Sequence, residues 1–89
     1  MKRLHAVVRG RVQGVGYRAT TVHEARRRNL TGWVRNQPDG NVEVVVEGDQ
    51  VTVLDFLEFL RHGPRGARVT GIDTDWAAAR SDLQGFDIR

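Results

Sequence analysis

The chain of 89 residues contains no cysteine, which excludes disulfide staples, thiolate zinc sites and a cysteine nucleophile. Lysine is almost missing: the positive charge is nearly all arginine, with the single Lys2. Aromatic residues make up only 7% and there are two prolines, so the core must be built mainly from aliphatic side chains. No apolar run approaches the roughly 20 residues needed to cross a bilayer. The first residues, Met1-Lys2-Arg3-Leu4-His5-Ala6, enter an alternating pattern with no apolar signal core and no small-residue cleavage site, so a cytoplasmic protein is expected. Repeats, low-complexity tracts and linkers are absent, which makes residues 1–89 one domain. A domain of this size buries about 60–65% of the surface of its unfolded chain. What is present is ordinary for a globular chain, 39% hydrophobic and 28% charged. The net charge of +3 and pI near 10.5 favour anionic partners. They are equally consistent with a solvated basic face, so charge alone decides nothing.

Residues 3–12 read as a strand, with Leu4, Ala6, Val8 and Val12 on one face and Arg3, His5, Arg9 and Arg11 on the other. Val7 interrupts the alternation, as in a strand partly covered on both sides. Residues 18–28 read as a helix with Ala19, Val22 and Ala25 one turn apart. Arginines 26–28 suit the negative end of its dipole, and Asn29 is a stop signal that tolerates a left-handed cap. A hairpin follows: 31–36, the turn Pro38-Asp39-Gly40, then 41–47. In that turn Pro presets φ and Gly supplies positive φ. Asp49 is a plausible N-cap for a helix whose buried stripe is Val53, Leu54, Leu57 and Leu60, with Phe56 beside it, ending at Gly63-Pro64. Residues 67–77 read as a strand and 85–88 as a short last one.

The order βαββαβ plus a short terminal strand makes two βαβ-like halves around a central hairpin. This is the α+β, ferredoxin-like (split βαβ) sandwich: an antiparallel sheet with two helices on one face. The other face is then partly wet, which accounts for the alternating strands.

The loop Gln13-Gly14-Val15-Gly16-Tyr17-Arg18 carries the chemical signal. It joins a strand's carboxyl end to a helix's amino end, where N–H groups lack partners and the dipole is positive. Glycines 14 and 16 let an anion approach the backbone, and Arg18 can hold two phosphate oxygens. An ordinary tight strand–helix connection would look the same, and the loop alone does not choose between them. Three named phosphate loops can be tested. No Gly-Lys-Ser/Thr tripeptide exists for a Walker A loop. Gly14-Val15-Gly16-Tyr17-Arg18-Ala19 formally matches a dinucleotide fingerprint but is followed by an antiparallel hairpin in too short a chain. The Cys–five residues–Arg loop of phosphotyrosine phosphatases fits in spacing, but Val12 stands at the nucleophile. Asn36, before Gln-Pro-Asp-Gly, reads by itself as a turn-stabilising residue. His5, His23 and His62 read as surface or packing residues, His23 lying on the first helix about one turn from Arg18, and Asp73, Asp75 and Asp82 as a charged loop rather than a metal site. Trp33 and Trp76 read as partial core or edge residues; Tyr17 and Phe86 read as core packing, with lining of an acyl pocket as the alternative.

Gly10-Arg11-Val12-Gln13-Gly14-Val15-Gly16-Tyr17-Arg18, then Gly32-Trp33-Val34-Arg35-Asn36 and Asp39-Gly40-Asn41-Val42-Glu43, closely resemble the acylphosphatases. The resemblance continues through Glu47-Gly48, Gly63-Pro64 and Phe86-Asp87-Ile88-Arg89, so 1–89 is expected to be a single acylphosphatase-like domain. It implies hydrolysis of carboxyl–phosphate anhydrides without metal or other cofactor. By position it implies that Arg18 binds phosphate, that Asn36 orients the attacking water, and that Gln13, Gly14, Val15, Gly16 and Tyr17 complete the substrate loop. Two departures are Asn29, where relatives usually have Gly, and Tyr17, where Phe is commoner.

The chemistry is compatible with so few groups. The leaving carboxylate has a conjugate-acid pKa of about 4–5 and needs no protonation. Phosphoryl transfer depends mainly on positioning and charge stabilisation. The expected partner is a small acyl phosphate, with inorganic phosphate or sulfate able to take the same place, in a monomer that binds neither membrane nor nucleic acid. A basic ferredoxin-like domain could instead bind RNA, but Val42-Glu43-Val44-Val45-Val46 lacks the aromatics of an RNA-recognition strand. A non-catalytic acyl- or carbamoyl-phosphate-binding module, as in larger maturation proteins, is the other alternative; the short lone chain favours the enzyme.

Overall fold

The computed structural model describes all residues, 1–89. The elements are β1 (Lys2–Arg11), α1 (Tyr17–Arg27), β2 (Thr31–Asn36), β3 (Val42–Gly48), α2 (Gln50–His62), β4 (Arg68–Ala78) and β5 (Phe86–Ile88). They form one five-stranded sheet in the order β4-β1-β3-β2-β5. β1 and β3 pair antiparallel at the centre, with Leu4 opposite Val46 and Ala6 opposite Val44. The sequence-derived ferredoxin-like arrangement is the observed one. Its last strand found no partner in the pattern; it lies parallel to β2, with Phe86 beside Gly32 and Ile88 beside Val34. That makes the sheet mixed, with one parallel pair at an otherwise antiparallel edge.

α1 packs on β2 and β5, and α2 on β1, β3 and β4. The inward face of the sheet supplies Leu4, Ala6, Val8, Val34, Val42, Val44, Val46 and Phe86, all essentially inaccessible. At roughly 25 cal/mol per Å² of apolar surface, this aliphatic layer is the main stabilising term. Phe56 and Phe86 meet edge to face with ring centres 5.9 Å apart. A bulge between Arg9 and Gly10 interrupts the pairing of β1 with β4, and Val12, just beyond the strand, is buried with the inward row.

Both helices are rotated from their expected phase. α1 starts one residue early and buries Tyr17, Thr21 and Ala25, whereas Ala19 is exposed and Val22 half-buried. The Tyr17 ring, much the largest side chain of that row, sets the phase. In α2 Phe56 is fully buried and Leu54 is 47% exposed. The buried stripe is Val53, Phe56, Leu57 and Leu60, an i, i+3, i+4, i+7 row. Asn29 takes φ +57, the conformation that glycine otherwise supplies, which explains why Asn serves there.

Candidate active site

The loop between β1 and α1 is held by its backbone rather than by side-chain caps. Gly14 and Gly16 have φ of +75 and +78, and a Cβ on either would meet nothing within 4 Å. Conformation, not room, therefore requires glycine at both. Gly16 is the N-cap of α1 and supplies no side-chain cap; its carbonyl accepts from the Thr20 N–H and hydroxyl at 3.1 and 2.9 Å. The backbone N–H groups from Gly14 to Ala19 donate to no group of the protein. Unpartnered donors at the positive end of a helix dipole are a ready anion cradle.

Asn36 reaches the same place from the other side. It ends β2 two residues after Val34 and so shares the inward, helix-facing side of the sheet. A cavity of about 150 Å³ is lined by Val12, Gly14, Gly16, Tyr17, Arg18, Ala19, Asn36 and Ile88. The Asn36 Oδ1 is buried without a hydrogen-bond partner. An unsatisfied buried acceptor is costly enough to need a reason. The Arg18 guanidinium is likewise in no ion pair, the Arg89 carboxylate included. A wider hollow of about 360 Å³ on the hairpin, lined by Arg35 to Asp39, shares only Asn36 with this cavity and gathers none of the loop.

Of the expected site residues, the structure thus brings Gly14, Gly16, Tyr17, Arg18 and Asn36 together. Gln13 and Val15 do not line the cavity. The Gln13 side chain turns to the hairpin, where Nε2 donates to the carbonyls of Gln37 and Asn41, both at 2.8 Å. Val15 packs against the hydrophobic core. Tyr17 is 1% exposed and its hydroxyl donates to the Leu60 carbonyl at 2.7 Å; burial pushes its phenol far above the ordinary range. Ile88 was not foreseen as a lining residue. The available signal was parity: in a strand it shares a face with Phe86.

The acylphosphatase family model matches residues 4–88. The chain belongs to the acylphosphatase family. It is 50% identical over 88 residues to an acylphosphatase of Methylococcus capsulatus, covering 99% of this chain and 96% of that protein. The crystal structure of acylphosphatase from Bacillus subtilis superposes with a TM-score of 0.96 at 36% identity, covering 100% of this chain and 99% of that one. The crystal structure of T. kodakarensis HypF contains a similar unit, with a TM-score of 0.85 and 33% identity; the match covers 12% of that chain.

Two of the histidines and two of the acids are engaged away from the loop. His5 Nε2 meets Glu43 Oε2 at 2.7 Å on the outer face of the sheet, and His62 meets Glu58 at 3.2 Å. Asp73 pairs with Arg9 and Asp82 with Arg3. Arg11 and Arg68 lie opposite each other across β1 and β4, a like-charge pair that neither residue offsets with an acid.

Proposed function

We propose that this chain hydrolyses acyl phosphates to carboxylate and inorganic phosphate. The observation that carries this reading is that Asn36, whose Oδ1 is buried and unpartnered, lines the same cavity as Arg18 and the glycines of the loop. In this mechanism the N–H groups from Gly14 to Ala19 and the Arg18 guanidinium hold the phosphoryl oxygens. Asn36 Oδ1 accepts from a water molecule and aims its lone pair at phosphorus, in line with the acyl oxygen. The P–O bond to that oxygen breaks, the new P–O bond forms from water, and the water's proton passes to a phosphate oxygen. The carboxylate leaves unprotonated. Donors already fixed in place where charge is spread cost no reorganisation during the reaction.

The test is turnover of benzoyl phosphate by the purified protein in the presence of a chelator. Steady hydrolysis is expected, with Arg18→Ala and Asn36→Ala each about 10²–10³-fold slower and far-UV circular dichroism unchanged. Phosphate binding without turnover would make the domain a binding module instead, and a near-normal Asn36→Ala rate would remove Asn36 from the mechanism. The rate should be nearly flat with pH from roughly 6 to 8, since no side chain of the proposed machinery titrates there. A bell with limbs in that range would implicate a histidine.

A further inference from the structure

The Gln13 side chain spans the two halves of the site. Its amide nitrogen uses both hydrogens, one on the Gln37 carbonyl and one on the Asn41 carbonyl, each at 2.8 Å. Those two carbonyls also close the base of the β2–β3 hairpin: Gln37 N–H donates to Asn41 O at 2.8 Å, and Gly40 N–H donates to Gln37 O at 3.1 Å. Gln13 is the covalent neighbour of Gly14, the first free donor of the cradle. Gln37 is the covalent neighbour of Asn36. A single side chain therefore ties the backbone that holds phosphate to the backbone that presents the water-directing amide.

No other side-chain hydrogen bond joins them. Gly14 and Gly16 have no side chains, Val12 and Val15 pack on the hydrophobic core, and Gln13 is the one side chain of residues 12–16 that makes a hydrogen bond. We infer that Gln13 is a positioning residue: it sets the distance and angle between the anion cradle and Asn36 and does not touch the substrate through its side chain. The inference rests on the proposed phosphoryl transfer and deepens it. Phosphate affinity depends on the cradle and Arg18, which lie on one side of the strap. Attack depends on alignment across it. Misplacement of about 1 Å can cost as much as 100-fold in rate.

The experiment compares wild type with Gln13→Met, of similar length without donors, and Gln13→Glu. Two quantities are read: kcat on benzoyl phosphate, and the inhibition constant of inorganic phosphate. For Gln13→Met, kcat should fall about 10–100-fold while the phosphate constant stays within about threefold. In Gln13→Glu the carboxylate faces two carbonyl oxygens, so activity should be lowest at neutral pH. It should recover in part as the pH falls and the acid gains a proton to donate. Wild type should show no such recovery.

Unchanged kcat in Gln13→Met overturns the inference. So does a phosphate constant that weakens in step with kcat/KM, which would make Gln13 a ligand of the substrate. If wild type itself does not turn over, the enzymatic reading fails separately. The strap is then read by NMR: Gln13→Met should shift the Asn36 and Gln37 amide signals together with that of Gly14. Unmoved hairpin signals would overturn it, and unfolding of Gln13→Met is checked by Gln13→Lys, whose ammonium restores a donor and should restore the coupled signals.

Discussion

Glu47 is 3% exposed and accepts from Arg3 Nη1 at 2.8 Å and from the backbone N–H groups of Arg80 and Ser81 at 2.9 and 3.1 Å. It fastens the irregular segment after β4 to the central strand. Burial pushes its carboxyl up, but the Arg80 N–H, the Arg3 guanidinium and the Ser81 N–H together outweigh that and hold it below its ordinary 4.5. A depressed folded-state value means stability present above 4.5 and lost as pH falls through the folded value. Glu47→Gln should therefore lower the unfolding free energy at pH 7 by about 2 kcal/mol. Urea titrations at pH 7 and pH 3 should show the gap narrowing in acid; a constant gap would point to shape rather than charge. The same scale shows how far single residues were legible. Arg18 could be placed from its position at the helix start. Asn36 could not be lifted above a turn residue without the family resemblance, because its orphaned oxygen exists only once the loop folds over it. The resemblance groups Gln13 with the substrate loop; that its side chain turns to the hairpin carbonyls is not readable, since a side-chain direction in a non-repeating loop has no period.

The two helices begin in opposite ways. α2 is capped by Asp49, whose Oδ2 accepts from the Thr52 N–H at 3.4 Å, while α1 begins at a glycine with φ +78 and no cap. The first is readable from residue type; the second is a helix start left without a side-chain cap. Gly16→Ala should cost about 1–2 kcal/mol, from the left-handed backbone alone, since the new Cβ has open space. Phosphate inhibition should weaken along with it. Gly32→Ala is a different case: the Cβ would sit 1.9 Å from the Val45 carbonyl oxygen. Backbone cannot yield there, so a loss of more than about 3 kcal/mol is expected by denaturant unfolding. Near-native stability in the Gly32→Ala variant would show that β2 and β3 can separate. The helix phases were missed because composition marks an apolar stripe only to within a residue. Which of Leu54 and Phe56 faces in depends on where the sheet lies.

Phe86, from the last strand, closes the core against Phe56, while β5 covers the edge of β2 and Ile88 lines the cavity. The core and the site thus share one short C-terminal element. Phe86→Ala should cost about 3–5 kcal/mol, a large part of the ~5–15 kcal/mol available to a domain. The melting temperature should drop by on the order of 15 °C, as calorimetry would show. A drop of only a few degrees would mean that the core does not depend on β5. The Arg11–Arg68 pair has its own test. Arg11 and Arg68 face each other beside the loop, so kcat/KM for an anionic acyl phosphate should fall as salt is raised, with kcat little changed. Insensitivity to salt would confine the attraction to the cavity.

The order of elements, the hairpin turn, the cap of α2 and the glycine loop ending in Arg18 all follow from the sequence, because each depends on local periodicity or on a residue's own conformational limits. The split-βαβ sheet follows from that order, since few topologies satisfy it. The tertiary structure alone decided the parallel pairing of β5, the rotation of both helices, the gathering of Asn36 and Ile88 onto the loop, and the strap made by Gln13. Each of these depends on residues far apart in the chain. Their energies come from contacts that no short window of sequence contains.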